Sequence, residues 1–71
     1  MRDVEAFYNE TRDRRVTVFQ RDDGTYGLLW EEYSSDPYEQ CWVIVSGHSA
    51  SFIDTLETAR REAAERLDQW R

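Results

Sequence analysis

DTLETARREAAERLDQWR, residues 54–71, is the stretch whose periodicity organises the rest of the chain. Leu56, Ala59, Ala63, Leu67 and Trp70 recur at the spacing of one stripe on a 3.6-residue helix. Asp54 and Glu57 form a D-x-x-E start signal: the Asp54 side chain accepts from early backbone N–H groups and Glu57 reaches back toward the cap. Glu57/Arg61 and Glu62/Arg66 stand four apart with the acid first, the favourable order. This segment is predicted to be a helix with one apolar face, and the preceding residues must supply the surface that covers it.

That surface is predicted to be a sheet. Val16-Thr17-Val18-Phe19 and Tyr26-Gly27-Leu28-Leu29-Trp30 are strand-rich runs flanking Asp22-Asp23-Gly24-Thr25. Asp23-Gly24 suits a two-residue type I′ turn, whose central residues need positive φ. With that pair at the tip, Phe19 faces Leu28, Thr17 faces Trp30, Val18 faces Leu29 and Arg15 faces Glu32. One face then carries Thr17, Phe19, Tyr26, Leu28 and Trp30, and the other Val16, Val18, Leu29 and Tyr33. The bulkier face is expected to meet the helix, because the two alanines in its stripe leave room for large side chains.

Ser34-Ser35-Asp36-Pro37-Tyr38-Glu39 reads as a loop, with Pro37 disfavouring a helical Asp36. Gln40–Ser46 reads as a third strand. Its apolar run Cys41-Trp42-Val43-Ile44-Val45 predicts cover on both faces. Toward the start of the chain, Val4, Phe7, Tyr8 and Thr11 fall at i, i+3, i+4 and i+7, which predicts a short helix over 4–12 capped by Asp3. The expected architecture is therefore a single α+β domain over 1–71. Its order is α-β-β-β-α, with a three-stranded antiparallel sheet packed on the C-terminal helix.

Composition bounds the function. The chain has 71 residues and a net charge of −6, and all nine of its basic residues are arginine. Residues 1–20 balance and residues 48–71 carry −1. Residues 21–47 carry −5: Arg21 against Asp22, Asp23, Glu31, Glu32, Asp36 and Glu39. Such a segment repels phosphate and attracts basic surfaces. Cys41 is the only cysteine, so no disulfide forms within the chain. No apolar run approaches the roughly 18 residues of a membrane span. The N-terminus also lacks the apolar centre of a signal peptide, so a cytoplasmic protein is expected.

The residues with chemical potential fail as catalytic or metal sites. His48 has no second histidine beside it and the lone cysteine lies in a predicted strand, so no metal or other cofactor is expected. Ser46, Ser49 and Ser51 flank His48 without forming a nucleophile elbow. Glu31 and Glu32 are adjacent on a strand and point to opposite faces, so they cannot converge. Trp30 and Trp42 would suit base stacking, yet acid rather than Lys or Arg surrounds them. What remains is an acid-plus-aromatic set: Asp22, Asp23, Trp30, Glu31, Glu32, Tyr33, Asp36, Tyr38 and Glu39. Aromatic anchors supply contact area and carboxylates supply steering toward a basic protein partner.

Residues 15–70 resemble the N-terminal module of HicB-type antitoxins. The resemblance runs through VTVFQRDDGTYGLLWEE, a following strand and the helix start Asp54-Thr55-Leu56-Glu57-Thr58-Ala59. It implies a partial RNase H-like fold that binds a small basic toxin. The expected α-β-β-β-α order is also similar to a double-stranded-RNA-binding domain. The lysine-rich phosphate clamp of that family is replaced here by Thr58-Ala59-Arg60-Arg61-Glu62. The expectation is thus a non-catalytic inhibitor of a basic, nucleic-acid-handling protein, of antitoxin or phage anti-defence (anti-CRISPR) type, with no direct nucleic acid and no membrane. A structural homodimer through the second sheet face, and RNA binding through Arg12, Arg14, Arg60 and Arg61, are the alternatives.

Overall fold

The computed structural model of the chain describes residues 1–38, 40–47 and 52–70. Strands β2 (Arg14–Gln20) and β3 (Tyr26–Tyr33) form the central hairpin. Its tip is not the two-residue turn expected. The Gly24 N–H donates to the Arg21 carbonyl at 3.0 Å and the Arg21 N–H donates to the Thr25 carbonyl at 2.8 Å. Gly24 sits at φ +90°. This is a three-residue loop, Asp22-Asp23-Gly24, with glycine in the left-handed position that other residues reach only with strain.

The extra loop residue moves the register by one. Val18 faces Leu28, Val16 faces Trp30, Thr17 faces Leu29 and Arg15 faces Glu31. A one-residue slip sends a strand's side chains to the opposite face. Val16 and Val18 therefore share a face with Leu28 and Trp30, while Thr17 and Phe19 lie on the other. Val16 and Val18 have no solvent exposure, and with Leu28, Ile53, Ala59 and Ala63 they form the core. The expected inner face was correct for β3 and inverted for β2.

The first segment is also different from expectation. Residues 2–8 form a strand, β1 (Arg2–Tyr8), antiparallel to β2, and not a helix over 4–12. A nine-residue helix would be unstable alone, whereas a strand here satisfies the backbone groups along the free edge of β2. A bulge between Asp3 and Glu5 inserts Val4. In an unbroken strand, residues three apart point to opposite faces. The bulge resets that parity, so Val4 and Phe7 both pack on the core. The spacing that mimicked a helix is the signature of that irregularity.

β4 (Trp42–Gly47) pairs with β3 and completes a four-stranded antiparallel sheet in the order β1-β2-β3-β4. It is an edge strand and is not covered on both sides. Val43, Ile44 and Val45 are 41%, 59% and 48% exposed. Ile53 then bridges to Tyr26, with N–H···O bonds of 2.8 and 3.0 Å, and carries the chain onto α1 (Leu56–Gln69).

The helix behaves as its stripe dictates. Ala59 and Ala63 are fully buried over β2, and Leu56, Leu67 and Trp70 pack around them. Its cap is Thr55 rather than Asp54: the Thr55 hydroxyl accepts from the Thr58 N–H at 3.3 Å. Arg60 donates to Glu5 at 2.8 Å and ties the helix to β1. The architecture remains α+β, but it is β-β-β-β-α, four strands with one C-terminal helix, instead of α-β-β-β-α. Among the described residues, no helix is long and apolar enough to cross a membrane.

Candidate functional site

With α1 on one face of the sheet, the described residues leave the opposite face open. The register determines what lines it. Tyr8 pairs with Arg15, Arg15 with Glu31, and Tyr33 with Trp42. Directly paired residues point to the same side of a sheet, so all five side chains share the open face with Thr17.

At the centre lies a nearly buried ion pair. Arg15 donates through Nε to Glu31 Oε1 at 3.1 Å and through Nη2 to Oε2 at 3.0 Å. The Thr17 hydroxyl donates to Oε1 at 2.6 Å. Arg15 Nη1 reaches the Tyr8 hydroxyl at 3.4 Å. The two-bond fork is the geometry in which Arg recognises carboxylate best. Burial pushes the Glu31 carboxyl up, but the hydrogen bonds from Arg15 and Thr17 and the Arg15 charge outweigh it, so the group titrates below its ordinary range. The hydrogen bond to Glu31 raises Arg15 in turn. Both Glu31 carboxylate oxygens are thus engaged by neighbouring donors.

Aromatic rings surround the pair. The Arg15 guanidinium lies 4.3 Å from the Trp42 ring centre. Tyr8 and Tyr33 meet Trp42 edge-on, at centroid distances of 5.7 and 5.5 Å and angles of 61° and 71°. These are favoured aromatic geometries. Tyr8 and Tyr33 stay about two-fifths exposed, at 41% and 42%. The Arg12 guanidinium also lies 5.5 Å from the Tyr8 ring centre, so the chain's own arginines cover part of this aromatic platform.

Two loops border this platform. In the β1–β2 loop, Asn9 accepts from the Asp13 and Arg14 N–H groups at 3.1 Å, and Arg12 adopts φ 57°. Asp13 is exposed, and hydrogen bonds from Thr11 and Asn9 hold its carboxyl below the usual range. The Tyr33 N–H donates to the Asp13 carbonyl at 2.8 Å, which joins this loop to the start of the β3–β4 loop. There the Tyr38 N–H donates to Asp36 at 2.9 Å, and Tyr38 is 95% exposed.

The acid-plus-aromatic set is therefore divided. Asp22 and Asp23 occupy the hairpin tip, roughly 24 Å of strand away from Tyr33. Asp22 binds the N-terminal ammonium at 2.8 Å, and Asp23 accepts from the Thr25 N–H and hydroxyl at 3.0 and 2.7 Å. Trp30 packs on the core beneath the helix. Glu32 lies on that same side, 3.4 Å from Arg14. Glu31 and Tyr33 join the open face, and Asp36 and Tyr38 its border. Glu39 lies outside the described residues, as do His48, Ser49 and Ser51.

Tyr8, Arg15, Thr17 and Trp42 were not among the expected site residues. Asp22-Asp23-Gly24 reads equally well as a three-residue loop, and that reading alone pairs Arg15 with Glu31. Among the described residues, no three His, Cys, Asp or Glu side chains converge to hold a metal ion. Comparison with family models, with curated proteins and with solved structures gives no match for this chain.

Proposed function

We propose that this chain is a non-catalytic binding module that captures a basic protein through the open face of its sheet. The observation that carries the reading is the Tyr8–Trp42–Tyr33 cluster, whose two tyrosines stay partly exposed and whose adjoining loops carry the exposed carboxylates Asp13 and Asp36. Ring faces attract guanidinium and ammonium groups, and neighbouring carboxylates add charge-assisted hydrogen bonds. Aromatic side chains offer large contact area with few rotatable bonds, which suits them as anchors. The net charge of −6 steers a cationic partner and opposes phosphate. The likeness of the helix start to HicB-type antitoxins points to the same class: a small acidic inhibitor of a nucleic-acid-handling protein, acting in the cytoplasm. Antitoxin and phage anti-defence roles both fit it.

RNA binding is less well supported. Arg14 is held by Glu32 and stacks on Trp70 at 5.1 Å, and Arg60 is held by Glu5. The observed β-β-β-β-α order also departs from the order that carried the likeness to double-stranded-RNA-binding domains.

The test is affinity capture from the native host with the wild-type chain and with Asp13→Arg/Asp36→Arg and Tyr33→Ala variants. Glu31 is avoided, because reversing it would break the buried pair and confound binding with folding. A basic nucleic-acid-handling protein held by the wild type and lost from both variants supports the reading. Capture that both variants leave unchanged refutes it. A gel shift with double-stranded and single-stranded RNA at low salt tests the alternative directly.

A further inference from the structure

The two edges of the sheet are built differently. Both edge strands carry a register irregularity, at Val4 in β1 and at Val45 in β4, but β1 also carries Arg2, Asp3 and Glu5, charges that discourage a further strand from adding. β4 reads Trp-Val-Ile-Val-Ser-Gly and has no ionisable residue. The helix lies over β1, β2 and β3 and leaves β4 uncovered among the described residues.

The exposure along β4 has a telling geometry. Val43 pairs with Glu32 on the helix side of the sheet, and Ile44 pairs with Glu31 on the open side. Val43, Ile44 and Val45 are all substantially exposed. A partner lying on one face would cover only half of this surface. A strand added beside β4 would give both faces new neighbours and would also pair with backbone groups that, among the described residues, the edge turns outward.

We propose that this strand is β4 of a second copy, paired antiparallel about a two-fold axis at Ile44. Ile44 then faces its own copy, with Val43 and the bulged Val45 on either side of it along the strand, so the apolar run is complementary to itself, as an isologous interface requires. Charge selects the same occupant. Two chains of net charge −6 repel over most of their surface and can approach where no charge lies, and 42–47 is such a place. A basic partner would be drawn instead to the carboxylates at the sheet's open face. The product is a continuous eight-stranded sheet that carries two Tyr8–Trp42–Tyr33 clusters on one surface. The pairing stands whether or not that cluster binds a basic protein.

Sedimentation velocity from low to high micromolar concentration tests it, on wild type and on Ile44→Lys, with Val45→Lys as a second variant and circular dichroism as the check on folding. The expected result is a wild-type monomer–dimer equilibrium that each lysine weakens by more than about tenfold, Ile44→Lys by setting two like charges against each other at the axis and Val45→Lys by placing a charge within the apolar seam. Hydrogen exchange at the β4 amides should also slow as wild-type concentration rises. A wild type that stays monomeric throughout, or a dimer that both folded lysine variants preserve, overturns the proposal.

Discussion

Arg15 and Glu31 stand directly opposite each other on β2 and β3 and close a fork of two hydrogen bonds, 3.1 and 3.0 Å long, beneath the ring of Trp42. Their side chains are only 20% and 10% exposed. Removing one member leaves the other desolvated without its partner. Arg15→Ala should cost about 2–4 kcal/mol in urea unfolding, somewhat under the range for a fully buried pair because Arg15 keeps some water. Replacing both members, as in Arg15→Met/Glu31→Leu, should recover most of that loss. A double variant no more stable than Arg15→Ala would show that the pair contributes more than it costs to bury.

Acid should find the same pair. The Glu31 carboxyl titrates below its ordinary value of 4.5 in the folded state. Its contribution is then fully present above the unfolded value and is lost as pH falls through the lower, folded one. Asp13, Asp22 and Asp23 are shifted down as well, so they act in the same direction. Unfolding midpoints should decline below about pH 4.5 for the wild type, and less steeply for Glu31→Gln, which has lost one such titration. Parallel curves for the two proteins would deny Glu31 this role.

Gly27 lies opposite Phe19, and a Cβ there would collide with the Phe19 ring and the Arg21 guanidinium. Phe19 is only 4% exposed although it sits on the open face. It owes that cover partly to Arg21, which lies 5.0 Å from the Phe19 ring and 4.5 Å from the Phe52 ring. Gly27→Val should therefore destabilise by about 1–3 kcal/mol through overpacking, despite the high strand propensity of valine. Thermal unfolding that instead rises with the substitution would mean that the ring moves freely aside.

The helix cap separates two neighbouring residues. The Thr55 hydroxyl accepts from Thr58 N–H, and its backbone is extended at φ −124° and ψ 149°, as a cap requires. Thr55→Ala should cost about 1 kcal/mol. Asp54→Ala should cost only a few tenths, since exposed carboxylates near a helix start contribute weakly through the dipole. Denaturant melts of the two variants in parallel decide it, and the reverse order would return the cap to Asp54.

Periodicity alone determined the helix: Ala59 and Ala63 could be placed against a sheet before any coordinate was known, because a 3.6-residue stripe has one geometrical meaning. Turn-forming residues likewise located the β2–β3 turn and the loop that follows β3, and composition the acidic middle of the chain, but the turn between β1 and β2 lay largely within the expected helix. Register and partnership belonged to the tertiary structure. Asp22-Asp23-Gly24 satisfies two turn types that differ by one residue, and only the packing of Val16 and Val18 under the helix chooses between them. That choice put Arg15 against Glu31, sent Glu32 and Trp30 to the other side, and left Asp22 and Asp23 at the far tip. Residues 2–8 follow the same logic: their spacing fits a helix by itself, but the open edge of β2 supplies backbone hydrogen bonds that a nine-residue helix cannot match. Local sequence specifies which side chains lie near one another along the chain. The pairings between distant segments, which built the open face, depend on free energies that no single segment holds.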